Sequence, residues 1–383
     1  MPFEISFEML PAGYVISVPT EQTVMVQMME FTSSEDGQHF TDRLEGIPND
    51  IVTRLPATAN IHPSGINNLL AIIRRDKTCT VYVNEEVHLV AAVQTKRGFV
   101  SKGEMVFKDD IADIVRASIE GVRIPQDCGI VLIFSAGWRK GLFYDLEPLR
   151  AGGAPRTFEI EAVFGQYLAE LMFQELFRIT QEQWELFFAQ QWFPFRCLTS
   201  EHLRGMIELV KVNSPVDGLM SQIIPHLKAH AKAYLNHWES IAAFHEHIVL
   251  LRTAVERFQA DDYVSATAIL FPRIEGILRG LHAATGNSGR ATQENLSASA
   301  VSTARANRHS RCPLLQEKFE RYLFDVYFAD FSPNDTKIEI SRNSVAHGVA
   351  SAASFSPKAA AIGIMIVQQL YYYVQSGGVI LKS

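Results

Sequence analysis

The stretch Leu149-Arg150-Ala151-Gly152-Gly153-Ala154-Pro155 separates two kinds of sequence pattern. Before it, short runs of β-forming residues recur; after it, apolar residues return at three- and four-residue spacing. A change of period across a Gly/Pro-rich linker predicts an α+β chain with a domain boundary at that point. Upstream, 14–18, 23–29, 78–83, 87–94, 129–135 and 141–146 read as strands. Residues 66–74 and 109–120 show helical spacing and predict covering helices, so that 1–150 forms a mixed α/β domain. No strand there leads into a Gly-rich phosphate loop, which excludes the two common nucleotide-binding fingerprints. The turn Ala136-Gly137-Trp138-Arg139-Lys140 joins the last two strands, and its Trp138-Arg139-Lys140 tip reads as an exposed hairpin turn before it reads as a contact point.

Downstream of the linker, 156–248 predicts a helical connecting region. Residues 158–178 carry a broad apolar face, and Thr180 with Gln183 marks a helix start of the capping-box type. The aromatic cluster Trp184, Phe187, Phe188, Trp192, Phe193 and Phe195 is expected to be core or an interdomain contact before a ligand pocket. His226 and His230 share a helical face within the stretch 219–251, but Leu227-Lys228-Ala229 lies between them, and a solvated helix surface explains the pair better than a metal. From 249 to 383 an all-α bundle is expected. Asp261-Asp262 caps a helix running to about His282, with Pro272 expected to kink or interrupt it. Residues 285–311, small and polar, read as a mobile loop. Helical spacing resumes at 314–328 and breaks at Ser332-Pro333-Asn334-Asp335. A short helix follows over 342–349, beginning near Ser341, and Pro357 opens the last one.

Composition is that of a globular protein, with 47% apolar and 20% charged residues in 383. The four cysteines, Cys79, Cys128, Cys197 and Cys312, form no CxxC pair, which argues against a disulfide framework and fits a reducing, cytoplasmic setting. Met1-Pro2-Phe3-Glu4-Ile5 lacks the basic and apolar regions of a secretory leader. The apolar run 359–374 is interrupted by Gln368 and Gln369, so a buried helix is expected and no membrane span. The net charge of −7 is unevenly spread: residues 1–150 carry −6, 151–250 carry −4 and 251–383 carry +3. The C-terminal part can therefore meet a polyanion without opposing it electrostatically.

Within that part, Arg342-Asn343-Ser344-Val345-Ala346-His347 is the segment best equipped for chemistry. Asn343 and His347 are four apart and share a helical face, with Arg342 beside it. A guanidinium can hold a phosphodiester by two parallel hydrogen bonds, and backbone N–H groups at a helix start would reinforce the anion site. An imidazole that titrates near neutrality can deprotonate a ribose 2′-hydroxyl or protonate the leaving oxygen. This chemistry calls for no metal and no other cofactor.

These residues, lying between helices in a helical unit, resemble the motif of the HEPN family (higher eukaryotes and prokaryotes nucleotide-binding), an Arg and a His separated by four to six residues. Arg342 and His347 match it, with Asn343 in the polar position common in the family. Phe271-Pro272-Arg273-Ile274-Glu275-Gly276-Ile277-Leu278-Arg279 and the following Gly348 are further similar to a bacterial subgroup of HEPN-like proteins. The resemblance covers about 250–376. It implies a helical bundle that forms a homodimer, with two RNxxxH motifs facing one cleft. It also implies a metal-independent endoribonuclease acting on RNA, often in phage defence or toxin–antitoxin systems. In that arrangement Arg342, Asn343 and His347 are the catalytic candidates. Arg273 or Glu275 would line the cleft, orienting His347 or meeting phosphate. Against this, Glu275 and Arg279 at i, i+4 can be a plain surface ion pair. The rival for the whole domain is a non-catalytic HEPN-like binding or dimerisation module, in which Arg342 and Asn343 hold the bundle together.

Overall fold

The β-forming runs of the first half pair into an antiparallel sheet, and the rest of the chain is predominantly helical, giving the α+β class. This computed structural model describes residues 2–17, 23–34, 36–59, 61–62, 65–286, 291–308, 311–331, 340–375 and 379–382. In order, the first elements are β1 (Phe3–Ser6), β2 (Tyr14–Ser17), β3 (Thr23–Val26), β4 (Met28–Thr32), α1 (Gly37–Leu44) and α2 (Ile47–Thr53). They are followed by β5 (Leu69–Ile73), β6 (Thr78–Val83), β7 (Leu89–Thr95), β8 (Ile111–Ile119), β9 (Gly129–Ala136), β10 (Arg139–Asp145) and α3 (Ile160–Met172). Then come α4 (Gln174–Phe177), α5 (Gln181–Ala189), α6 (Ser200–Lys211), α7 (Met220–Glu239), α8 (Ile248–Gln259) and α9 (Tyr263–Ala284). The last are α10 (Gln293–Asn307), α11 (Gln316–Tyr322) with a π turn over Leu323–Tyr327, α12 (Arg342–Ala346), α13 (Pro357–Val374) and β11 (Val379–Lys382).

The main sheet has the order β1-β6-β5-β9-β10-β4, and a smaller one the order β11-β7-β8, while β2 and β3 form a hairpin. In the main sheet Leu69 stands opposite Ile133 and Gly141 opposite Thr32. Every residue of β5 is buried, as a central strand covered on both faces requires. Tyr167 of α3 accepts from Phe31 N at 3.0 Å and donates to strand carbonyls, among them Leu142 O at 2.9 Å. Gly141 makes that approach possible: a Cβ there would meet the Tyr167 ring at 2.8 Å. Arg156, just past the Gly-rich linker, is pinned by a buried ion pair with Asp145 (2.6 Å) and donates to Cys128 O (3.0 Å) and Pro125 O (3.2 Å).

The chain forms two compact units, one of Met1–Ala92, Arg116–Met172 and Ile380–Ser383, the other of Val93–Val115 and Phe173–Val379. The division falls inside β7, β8 and β11 and between α3 and α4, and Tyr167 ties α3 to the strands of the first unit. In the second unit α13 is buried from Ala359 to Tyr373. Its two glutamines are fully partnered. Trp238 Nε1 donates to Gln368 Oε1 (2.9 Å), Arg196 N to Gln369 Oε1 (3.0 Å), and Gln369 Nε2 to Leu314 O (3.2 Å). The aromatic cluster is core as expected: Trp192, Phe193 and Phe195 have no exposed surface, and Phe193 packs edge-on to Phe195 and Phe319. Among the described residues no helix is long and apolar enough to cross a membrane, and all four cysteines are free and buried.

Several local readings are corrected. Residues 66–74 and 109–120 hold the strands β5 and β8, not helices; β5, buried on both faces, loses the two-residue alternation that marks a strand, and in β8 the buried Asp113 breaks it. Within 285–311, Gln293–Asn307 is a helix capped by Thr292, whose hydroxyl accepts from Asn295 N at 3.2 Å. Residues 287–290 and 309–310 of that expected loop, and the expected break at 332–335, lie outside the described residues. The stretch 158–178 divides at Phe173 into α3 and α4, and 219–251 divides into α7, a 3-10 segment and the start of α8. Pro272 does not interrupt α9.

Candidate functional site

Ser341 starts α12 with a reciprocal cap: Ser344 N donates to Ser341 Oγ (3.1 Å) and Ser341 N to Ser344 Oγ (2.9 Å). The helix ends after Ala346, with His347 as its C-cap. A helix of five residues, with one of its first amides already taken by the cap, carries little dipole. The anion site expected from its N-terminus is therefore withdrawn; any anion here must be held by side chains.

Asn343 is buried at 4% exposure. Its Nδ2 donates to Phe328 O (2.8 Å) and Asp330 Oδ1 (2.9 Å), while its Oδ1 accepts from Gln293 Nε2 (3.2 Å) and Arg342 Nη1 (3.1 Å). This amide ties α12 to the segment after the π turn and to α10. Arg342 lies at the edge of a cleft of about 480 Å³ whose lining includes Glu275, Arg279, Thr292, Gln293 and Phe324. Glu275 is the hub of its charges. Arg279 donates to Glu275 Oε1 from Nε (2.8 Å) and pairs through Nη2 (2.6 Å). Arg342 Nε faces Glu275 Oε2 as an ion pair without the alignment of a hydrogen bond. The carboxylate is nearly buried, whereas the Arg342 and Arg279 side chains keep 25% and 54% exposure. With Glu294 also in the lining, two guanidiniums and two carboxylates bound the cleft, and the part-exposed Arg342 and Arg279 are the groups in it that can hold an anion.

His347 does not line this cleft. Its ring is exposed and lies 5.8 Å, centroid to centroid, from Phe331. Arg273, on the same helix as Glu275, is also outside the lining; it stands near His247, which burial, with the added charge of Arg273, holds below the usual histidine range. The structure thus brings Arg342, Asn343 and Glu275 together and leaves Arg273 and His347 apart from them. In the sequence Arg279 reads as a surface partner of Glu275, and Phe324 falls within the helical run 314–328. Gln293 was hidden in the expected loop.

The histidines of α7 form a stack of their own. His226 lies 4.3 Å from His230 and 5.2 Å from His202 between ring centroids. His226 Nε2 contacts Cys197 O (3.0 Å) and His230 Nδ1 contacts His226 O (2.8 Å), so the rings address the backbone. Among the described residues no three His, Cys, Asp or Glu are arranged to hold a metal ion. Comparison of the chain with protein-family models, with curated proteins and with solved structures returned no match.

Proposed function

We propose that this chain is a metal-independent endoribonuclease of the HEPN type, working as a homodimer on RNA, with Arg342 binding the scissile phosphate and His347 moving the proton. The observation that supports it is the placement of Arg342 and Arg279, part-exposed and steadied by one carboxylate, at a cleft large enough for a nucleotide. The exposed His347 ring lies five residues on. In the proposed reaction the ribose 2′-oxygen attacks phosphorus and loses its proton to one imidazole. The 5′-oxygen leaves and takes a proton from another. One RNxxxH motif supplies one imidazole, so base and acid together require two copies. A role in phage defence or in a toxin–antitoxin pair follows from the resemblance.

Asn343 favours a second reading. A buried amide with four partners is what a scaffold needs, and in a non-catalytic binding or dimerisation module Arg342 would simply extend that network. The two are separated by incubating the purified chain with single-stranded and structured RNA in EDTA, beside His347→Ala and Arg342→Ala. The nuclease reading expects cleavage that falls by about 10²-fold or more in each variant, with His347→Ala keeping the stability of the parent because its ring is exposed. Cleavage that survives His347→Ala overturns it. No cleavage by any version, with Arg342→Ala unfolding at lower temperature, establishes the module.

A further inference from the structure

Phe324 is 47% exposed, although it sits in a helical run whose neighbours Tyr322, Leu323, Val326 and Tyr327 are all buried. Phe324 follows Glu317, Glu320 and Arg321 along the outer face of this helix, at the π turn over Leu323–Tyr327, where Tyr327 reaches back to donate to Phe271 O at 2.6 Å. Phe324 therefore lies outside the core, in the cleft that Arg279 and Arg342 also line. Such π turns are costly and recur at functional sites, and an aromatic ring left half in water is most useful where something flat can cover it.

Resting on the nuclease reading above, we infer that Phe324 is the stacking platform for an unpaired base of the RNA, next to the phosphate held by Arg279 and Arg342. Three features converge on this occupant. The ring offers a π face, which every nucleobase can stack on whatever its sequence. The two part-exposed guanidiniums can donate to the sugar–phosphate adjoining that base. Glu275, Thr292, Gln293 and Glu294 surround the same space with acceptors and donors that suit the polar edge of a base. A base buried against Phe324 cannot at the same time be stacked and paired in a duplex. The substrate class is therefore RNA with an unpaired nucleotide at the site.

The test measures binding and not cleavage. His347→Ala, which on the nuclease reading leaves the substrate intact, is titrated in EDTA against end-labelled oligouridylate and against a ribose-phosphate oligomer of the same length without bases. The same titrations are made with Phe324→Ala and Phe324→Trp added. Phe324→Ala is expected to weaken the base-bearing oligomer by about tenfold or more and to leave the abasic oligomer unchanged. Phe324→Trp is expected to keep the affinity and to show tryptophan quenching on binding that the parent lacks. Equal loss for both oligomers would mean damage to the fold, and unchanged binding would mean that the ring is idle; either overturns the inference, as does the absence of binding by any version. Base-dependent binding through Phe324 without any cleavage by the unmodified chain would leave this inference standing and remove the nuclease. Cleavage indifferent to Phe324 would do the reverse.

Discussion

At the residue scale, Asn343 carries more of the local structure than its place in an Arg–His motif suggests. Asn343→Ala strands Asp330, the Phe328 carbonyl and Gln293 without the amide they share. Of these, the Phe328 carbonyl is the buried one, and leaving it unpaired costs about 1–3 kcal/mol, so thermal denaturation should show a transition a few degrees lower. A change of less than one degree would show that the network is dispensable. His226 makes a second prediction. Burial, reinforced by the like charges of His230, His202 and Lys96, lowers its pKa from 6.5 to about 4 in spite of its contact with Cys197 O. The unfolded chain therefore binds the proton more readily than the folded one, and stability is lost as pH falls from about 6.5 to 4. Melting temperatures across that window should decline, and less steeply in His226→Gln; identical slopes would contradict the assignment. The Ser341 cap and the position of Arg342 were legible in the sequence, because caps are local and Ser is a strong one. The ion pair of Arg342 with Glu275 was not, since only the packing of α12 on α9 brings these residues together.

At the scale of elements, legibility followed side-chain size. Helices with large apolar stripes, such as α9 and α13, could be placed almost to their ends, and Asp262 and Pro357 marked the starts. α10 was missed because most of its buried face is small, Ser297, Ser299, Ala300 and Ala304, with Leu296 and Val301 as its larger members, a composition that resembles a loop until a neighbour comes close. Small residues are what that closeness requires: α10 packs on both α9 and α13, and Ser299 Oγ meets His282 Nδ1 at 3.0 Å. Ala300→Leu should then overpack the contact and cost about 1–3 kcal/mol, read as a lower midpoint in urea with an unchanged slope. A variant as stable as the parent would mean that α10 is loosely held. β5 is hard to read for another reason, since a strand buried on both faces carries no alternation, and in β8 the buried Asp113 masks it.

At the scale of the whole molecule, the α+β class was legible in the sequence. The linker at 149–155 marks a change of pattern, but compactness depends on which side chains α3 buries, and those contacts lie far apart in sequence. Charge gave a partial guide. Within 251–383, which carries +3, one cleft brings together two arginines that share Glu275, with Glu294 also in its lining, while the exposed imidazole stands apart in the single chain. A working nuclease must bring a second copy to that cleft. The most direct measurement is the chemistry of the RNA ends produced in EDTA. Attack by the 2′-oxygen predicts a 2′,3′-cyclic phosphate and a 5′-hydroxyl, no product from DNA of the same sequence, and no product from His347→Ala. Fragments bearing a 5′-phosphate, or unchanged ends and yield from His347→Ala, would contradict the account.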